Sequence, residues 1–324
     1  MEPTRFYPLL APPSRCVACA HEQLRPLHVF PVNHNKKRVT RQLNLALIGC
    51  ERCGLVFSHP APSQAELEAY YGSASDGWDE RIATDPARLE AKLERKRLSN
   101  ADDYRLLCAN ASFPAGERRR ALDFGCGIGG WLDVLAADGW ETWGIEPGAR
   151  AAAAAALRHR MLDEIPSAPQ FELVVVQHTL EHLDDPLETL ARLAAATVED
   201  GLIYVSVPNF ARLGEHRDFV YIAGDKHICS FTPAALASLF SLSGFELVRH
   251  SNDAAWATPV EHPHALSRLA AVGRRTSRDL ELPSAPLNEA IEALLAYGRT
   301  RPEPPPPGSQ TPSRLRRLAR RILR

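Results

Sequence analysis

The sequence lacks several features that would assign it to a common class of protein. Its 324 residues contain no apolar run of membrane-spanning length, and residues 1–13 have neither the charged start nor the apolar core of a secretion signal. The formal net charge is -1 and the pI is near 6.9, so there is no charge excess that would attract nucleic acid. These absences predict a cytoplasmic protein that does not act on nucleic acid.

Disulfides are not expected, yet the chain has seven cysteines, and four of them form two C-x-x-C pairs. This spacing lets two thiolates point at one ion from a tight turn, and a module of about 60 residues usually needs a metal to be stable. A redox pair and chance are the alternatives, but a redox C-x-x-C would lie between a strand and a helix, and neither pair does. We predict a structural zinc ion held by Cys16, Cys19, Cys50 and Cys53.

A glycine-rich turn is the most informative feature that is present. An apolar strand delivers Asp123, then Gly125, Gly127 and Gly129 follow where the backbone turns tightly, and an amphipathic helix is predicted over 131–137. This order of strand, glycine turn and helix is typical of a nucleotide-type pocket.

A second strand, over 141–145, ends at Glu146, where a carboxylate meets ribose hydroxyls bound at such a turn. Gly125, Gly127 and Gly130 also satisfy the dinucleotide pattern G-x-G-x-x-G, and a glycine turn can simply pack a helix on a strand. Asp123 disfavours a dinucleotide, because its charge would lie close to the pyrophosphate.

On these residues the chain resembles the class I S-adenosylmethionine-dependent methyltransferases, whose D-x-G-x-G-x-G motif is followed by an acidic residue at the end of the next strand. The resemblance implies a Rossmann-like, doubly wound α/β sheet. It also implies that S-adenosylmethionine is the cofactor, with adenine contacts near Asp163. The cofactor-binding residues it implies are Asp123, Gly125, Gly127, Gly129, Glu146, Leu162, Asp163 and Gln177.

Two histidines are candidates for contact with the molecule that accepts the methyl group: one follows a predicted strand and the other ends a long loop. His178 and Glu181 come directly after an apolar strand over 171–177, where ligands bind in open α/β sheets. The E-H-x-x-D-P segment that starts at Glu181 is similar to one in ubiquinone-type O-methyltransferases. The alternative is that Glu181 and His182 only orient the loop.

His227 ends a loop of about fifteen residues, just before a helix capped by Thr232. The chain is similar here, and in its cysteine pairs, to deoxysugar C-methyltransferases. In that family, a histidine in this loop is thought to act as acid or base, and the cysteine-rich module binds zinc. We therefore predict His227 and His178 as catalytic residues, the alternative being that His227 only holds the loop by a hydrogen bond.

The remaining segments are less clear. Residues 63–112 are predicted to be helical, with a capping box at Ser63 and Glu66 and aromatic residues that either form a lid or pack the helix. No convincing seventh strand follows Arg249, and residues 260–272 fit a strand or a helix. The segment 314–324 has the pattern of a basic amphipathic helix that can lie on the inner membrane surface or dock on a partner, but at eleven residues a solvated, frayed tail is the preferred interpretation.

We predict four parts: a zinc module at 1–62, a helical lead-in at 63–118, a methyltransferase core at 119–275, and a proline-rich, basic tail at 276–324. The predicted function is methyl transfer to a small-molecule, glycan or lipid-linked acceptor, at oxygen in preference to carbon. Two alternatives remain: a non-catalytic protein that binds zinc and cofactor on a methyltransferase scaffold, and an NAD-binding oxidoreductase.

Overall fold

The computed structural model describes residues 13–33, 42–61, 85–114, 119–215, 227–256 and 268–300. The predicted Ser63–Glu66 capping box, the aromatic residues Tyr70, Tyr71 and Trp78, and the basic segment 314–324 lie outside these residues. Within the described part of the chain, no helix has the length and apolar character needed to cross a membrane.

Seven of the described strands form one sheet, and helices follow most of its parallel strands. The first half contains α1 (Pro86–Asn110), β4 (Arg120–Phe124), α2 (Gly130–Ala137), β5 (Glu141–Ile145), α3 (Ala149–Ala156) and β6 (Arg160–Met161). The second half contains β7 (Phe171–Gln177), α4 (Pro186–Ala196), β8 (Thr197–Pro208), α5 (Pro233–Ser243), β10 (Phe245–His250), β11 (Arg268–Arg275) and α6 (Asn288–Thr300).

The strand order is β10-β11-β8-β7-β4-β5-β6, and the five strands from β8 to β6 are parallel. This confirms the predicted doubly wound α/β fold. The doubt about a seventh strand was wrong: β11 lies between β8 and β10 and is antiparallel to both. The chain order reverses between β7 and β4, so their carboxyl ends form the crevice in which open α/β sheets bind ligands.

Local sequence explains where the helices start. The side chain of Asp85 caps α1, Asp185 caps α4 by accepting from the Glu188 amide, and Thr232 caps α5. Proline occupies the first position of all three helices, where it has no amide bond to lose. The apolar run of β7 is buried on both faces of the sheet, as predicted for a central strand.

A second, smaller sheet contains the cysteine module, which we define as residues 13–33 and 42–61. Its strands are β1 (Leu24–Asn33), β2 (Gln42–Cys50) and β3 (Val56–His59), and a short strand from the core, β9 (Cys229–Ser230), completes the order β1-β2-β3-β9. Buried residues of the module and of the core belong to one hydrophobic cluster. The module is therefore packed on the methyltransferase-like core as part of one folded unit.

Candidate active site

The glycine turn, residues 125–129, joins β4 to α2 at the carboxyl edge of the sheet. Gly125, Gly127 and Gly129 all have positive φ angles, which glycine adopts without steric cost. A Cβ added to Gly125 would lie 2.2 Å from the Thr179 Oγ1, so the turn packs directly on the loop after β7. A Cβ on Gly127 would meet nothing within 4 Å. The turn is thus closed against the protein at Gly125 and open at Gly127.

The carboxylate of Glu146 lies beside the open part of the turn. One oxygen accepts from the Gly127 amide at 2.8 Å and the other from the Gly148 amide at 2.7 Å. These bonds fix the carboxylate at the end of β5, and a carboxylate oxygen can accept a further hydrogen bond. Glu146 is therefore oriented to accept from hydroxyl groups of a ligand over the turn.

Asp123 lies at the end of β4 and is 2% exposed. Burial and the nearby Glu146 carboxylate together raise the pKa of its carboxyl to about 8, and Lys96 opposes this shift. At neutral pH, without a ligand, this carboxyl largely holds its proton. A cationic ligand group would favour the ionised form, because an opposite charge lowers a carboxyl pKa.

Lys96 of α1 was not singled out from the sequence. A Cβ on Gly130 would lie 2.7 Å from the Lys96 Cβ, so α1 packs closely against the start of α2. The Lys96 side chain is accessible, yet desolvation lowers its pKa, with Asp123 and Asp103 opposing the shift. Lys96 interacts electrostatically with Asp123 and packs at Gly130, so it places a positive charge beside the glycine turn.

The other predicted cofactor residues, Leu162, Asp163 and Gln177, make different kinds of contact in the structure. The Leu162 amide donates to the Gly144 carbonyl at 2.9 Å, its side chain packs on the core, and Asp163 is exposed next to it. The Gln177 side chain instead donates to Asp103 of α1 at 2.6 Å. Asp103 also binds Arg268 through two hydrogen bonds of 2.7 and 2.9 Å, so Gln177 belongs to a buried network that attaches α1 to β11.

A histidine cluster of His178, Glu181, His182 and His227 lies past the end of β7. His178 has a φ of 52°, and its Nδ1 lies 3.3 Å from Glu181 Oε1. The rings of His182 and His227 meet edge to face with centroids 4.9 Å apart. Glu181 is 1% exposed, and although desolvation raises its pKa, the three histidines lower it below its usual value. The cluster therefore contains an ionised, buried carboxylate surrounded by imidazoles.

This arrangement has two chemical capacities. A buried carboxylate fixes the tautomer and raises the basicity of a neighbouring imidazole, which suits proton transfer at neutral pH. One ligand atom each from Glu181, His182 and His227 also lie within 4.8 Å of one another, so the same three side chains can hold a cation. The structure brings predicted His178 and His227 together around Glu181.

The four predicted metal ligands also meet. Their sulfur atoms lie within 4.8 Å of one another, with Cys16 and Cys53 sulfurs at 3.7 Å and Cys19 and Cys50 sulfurs at 3.6 Å. Tetrahedral Zn–S bonds of about 2.3 Å place sulfurs about 3.8 Å apart, whereas a disulfide requires about 2.05 Å. Four thiolates this close together repel one another, so a bound cation is needed to stabilise all four in the ionised form. The residues fit zinc.

Comparison with known families identifies the core. The profile of the family described as "Methyltransferase domain" matches residues 86–250, just over half of the chain. The chain belongs to this methyltransferase family. The match covers α1, the glycine turn and the histidine cluster, and it confirms the resemblance to S-adenosylmethionine-dependent methyltransferases.

Individual proteins similar to this chain share limited sequence identity with it. The ubiquinone biosynthesis O-methyltransferase of Rhodopseudomonas palustris is 32% identical over 156 residues, which are 45% of this chain and 62% of the relative. The chain thus spans less than two thirds of the length of this relative. The 1,6-didemethyltoxoflavin-N1-methyltransferase of Burkholderia thailandensis aligns with 19% identity and a TM-score of 0.44, over 76% of this chain and 99% of that structure. The plantazolicin methyltransferase BpumL aligns with 14% identity and a TM-score of 0.43, over 65% and 97%.

Sequence reasoning missed the parts of the candidate site that come from α1. Lys96, Asn100 and Asp103 lie on one face of that helix at spacings of four and three residues. Asn100 and Asp103 are buried polar residues, which is unusual enough to mark a site. The i, i+4, i+7 spacing of these polar residues could have indicated the site from the sequence. It does not stand out, because charged residues are dense along the whole helix.

Proposed function

We propose that the protein transfers a methyl group from S-adenosylmethionine to a small-molecule or glycan-type acceptor, at oxygen in preference to carbon. The observation that carries this proposal is the position of the open glycine turn between two carboxylates, directly beside a histidine cluster. The contact between Gly125 and Thr179 joins the two halves. Oxygen is favoured because the similar R. palustris protein is named as an O-methyltransferase, and because imidazole bases suit hydroxyl acceptors.

The donor half would hold the cofactor through charge and hydrogen bonds. Glu146 is oriented for the ribose hydroxyls, and Lys96 supplies the cation for a carboxylate at the amino-acid end. Asp123 meets the positive groups of the cofactor, whose approach lowers its raised pKa. Leu162 and Asp163 remain our candidates for the adenine side. Gln177 acts through Asp103 and α1, so we assign it a positioning role.

The acceptor half would orient a hydroxyl and remove its proton. The cofactor supplies an activated methyl group, so alignment of the acceptor provides most of the rate enhancement. The cofactor would supply the methyl group and leave as S-adenosylhomocysteine, and His227 would take the proton from the acceptor hydroxyl. Glu181 stabilises the resulting imidazolium, and His178 keeps the carboxylate oriented.

Turnover and cofactor affinity separate the roles of the two halves. His227→Ala should lower S-adenosylhomocysteine formation by about 100-fold or more with an accepted glycan or lipid extract, because proton transfer is lost. Its affinity for S-adenosylmethionine, measured by calorimetry, should stay the same. His21→Ala, in the cysteine module, is the control and should retain turnover. Full turnover in His227→Ala would reject the base, and cofactor binding without turnover in the wild type would favour the non-catalytic alternative.

We also propose that the cysteine module binds one structural zinc ion through Cys16, Cys19, Cys50 and Cys53. With sulfur in all four positions, the ion has no open site for catalysis. Cobalt substitution should give the absorption of a tetrahedral tetrathiolate site, and metal analysis should give one ion per chain. If metal analysis finds two ions per chain in the wild type and one in His227→Ala, the histidine cluster also holds a cation.

A further inference from the structure

The segment that carries His227 is held by the cysteine module, although the two are far apart in sequence. Strand β9 pairs with β3 in antiparallel register, Phe57 opposite Cys229 and Val56 opposite Ser230. The Ser58 amide donates to the Ile228 carbonyl at 2.8 Å. The Ser58 hydroxyl also donates to the His227 carbonyl at 3.4 Å. The fourth strand of the module's sheet is thus β9, which begins two residues after His227.

The strand that holds this segment begins at the metal ligands. The Cys50 amide donates to the Leu55 carbonyl at 2.9 Å, and the Gly54 amide donates to the Cys50 carbonyl at 2.9 Å. These bonds close the turn around the second C-x-x-C pair, and β3 starts three residues after Cys53. A metal ion bound by these cysteines therefore fixes the direction in which β3 leaves the turn.

The other side of the same segment contacts the histidine cluster. The Cys229 thiol donates to the Leu183 carbonyl at 3.5 Å, one residue past His182. The His182 and His227 rings are in contact. A continuous set of contacts therefore runs from the cysteine ligands through β3 and β9 to Glu181 at the end of β7.

We propose that the cysteine module is a positioning element of the active site, in which the metal-bound turn fixes β3 and β3 fixes His227 against Glu181. The proposal rests on the proposed role of His227 and gives the positioning role to the backbone amide of Ser58, whose bond to Ile228 is short, and not to its hydroxyl. A strand of two residues has too few hydrogen bonds to hold itself in place. Metal binding supplies folding free energy in small modules, so loss of the ion should release β3 and the segment on it.

Hydrogen exchange of the full-length protein tests this coupling without using catalysis. Removal of the metal by a chelator, confirmed by metal analysis, should raise exchange at least tenfold in peptides that cover 56–59 and 227–231. Peptides that cover β7 should keep their protection, which distinguishes local release from global unfolding. Unchanged exchange of 227–231 in metal-free protein would overturn the proposal. This readout is independent of whether the protein methylates anything.

Two substitutions of Ser58 provide a matched pair. Ser58→Pro removes the amide that donates to Ile228, whereas Ser58→Ala removes only the hydroxyl. Ser58→Pro should keep its metal and its cofactor affinity, raise exchange at 227–231, and lower kcat toward that of His227→Ala. Ser58→Ala should resemble the wild type. Equal behaviour of the two variants, with metal retained, would show that the β3–β9 pairing does not position His227.

Discussion

Gly127 tests the open face of the glycine turn at the level of one residue. Gly127→Leu should abolish binding of S-adenosylmethionine in calorimetry, because the new side chain would occupy the open space over the turn. Gly139→Leu is the matched control: Gly139 also has positive φ and open space around a Cβ, but it lies past the far end of α2. Each variant carries a backbone strain of about 1–2 kcal/mol. Equal loss of binding in both would mean that strain, not occupancy, is responsible.

Lys96 is expected to bind the carboxylate of the cofactor's amino-acid end. Lys96→Met should weaken S-adenosylhomocysteine binding by about 10- to 100-fold, the value of one charge-assisted hydrogen bond. Binding of methylthioadenosine, which lacks the amino-acid end, should not change. Lys92→Met, one helical turn away, should leave both affinities intact. If Lys96→Met weakens the binding of both ligands equally, Lys96 does not contact the amino-acid end of the cofactor.

Asp123 should make the stability of the ligand-free protein depend on pH. The carboxyl pKa is about 8 in the folded protein, and an unfolded aspartate has about 3.9. Between about pH 3.9 and about pH 8, Asp123 is therefore protonated in the folded state and ionised in the unfolded state. The free energy of unfolding falls as the pH rises through this range, by at most about 1.4 kcal/mol per pH unit. Urea unfolding at about pH 6 and about pH 8 should show a smaller decrease for Asp123→Asn than for the wild type. Parallel decreases would mean that Asp123 is ionised in the folded protein.

At the scale of elements, the ion pair of Asp103 and Arg268 attaches α1 to β11. Its side chains are 0% and 11% exposed. Arg268→Met should lower the free energy of unfolding in urea by about 3–5 kcal/mol, because it leaves the buried Asp103 carboxylate without its cationic partner. Arg278→Met breaks an exposed pair with Glu246 and should cost less than about 1 kcal/mol. Similar costs for the two variants would show that the buried pair is not required for stability.

The elements that the sequence predicts well are those with strong local signals. The strand at 141–145 and the helix start at Pro186 are confirmed, because apolar runs, caps and proline act within a few residues. The segment that forms β11 fitted either a strand or a helix from its sequence, because arginines stand at both ends of β11 and only Leu269 to Val272 form an apolar run. Its strand conformation depends on the hydrogen bonds that it forms with β8 on one side and β10 on the other.

The candidate site shows the same division. The glycine turn and Glu146 could be predicted because strand, turn and acid follow one another in sequence. The bond from Gln177 to Asp103 joins residues 74 positions apart, and no local pattern indicates it. The same holds for the contact of Ser58 with the His227 segment. Contacts between residues far apart in the sequence could not be predicted, because no local pattern indicates which residues the fold brings together.

At the scale of the whole molecule, the cysteine module packs against the rest of the chain on more than one face. Cys16, Cys50, Cys53 and Phe57 share one hydrophobic cluster with residues of β7, β8 and α5. On another face, a Cβ on Gly54 would lie 2.7 Å from the Pro286 carbonyl oxygen, so the chain before α6 covers the second cysteine turn. Module and core are therefore expected to unfold together.

Calorimetry of the metal-loaded protein should show this as a single transition. Cys53→Ala should lower the Tm of that whole transition and remove its response to a chelator, because the free energy of metal binding stabilises every part that unfolds with the module. Cys108→Ala replaces an exposed cysteine on α1 and should retain both the Tm and the chelator response. Two separate transitions, with only the smaller one shifted by Cys53→Ala, would show that the core is stable without the module. In that case the metal could still order β3 and β9, but it would not stabilise the fold that binds the cofactor.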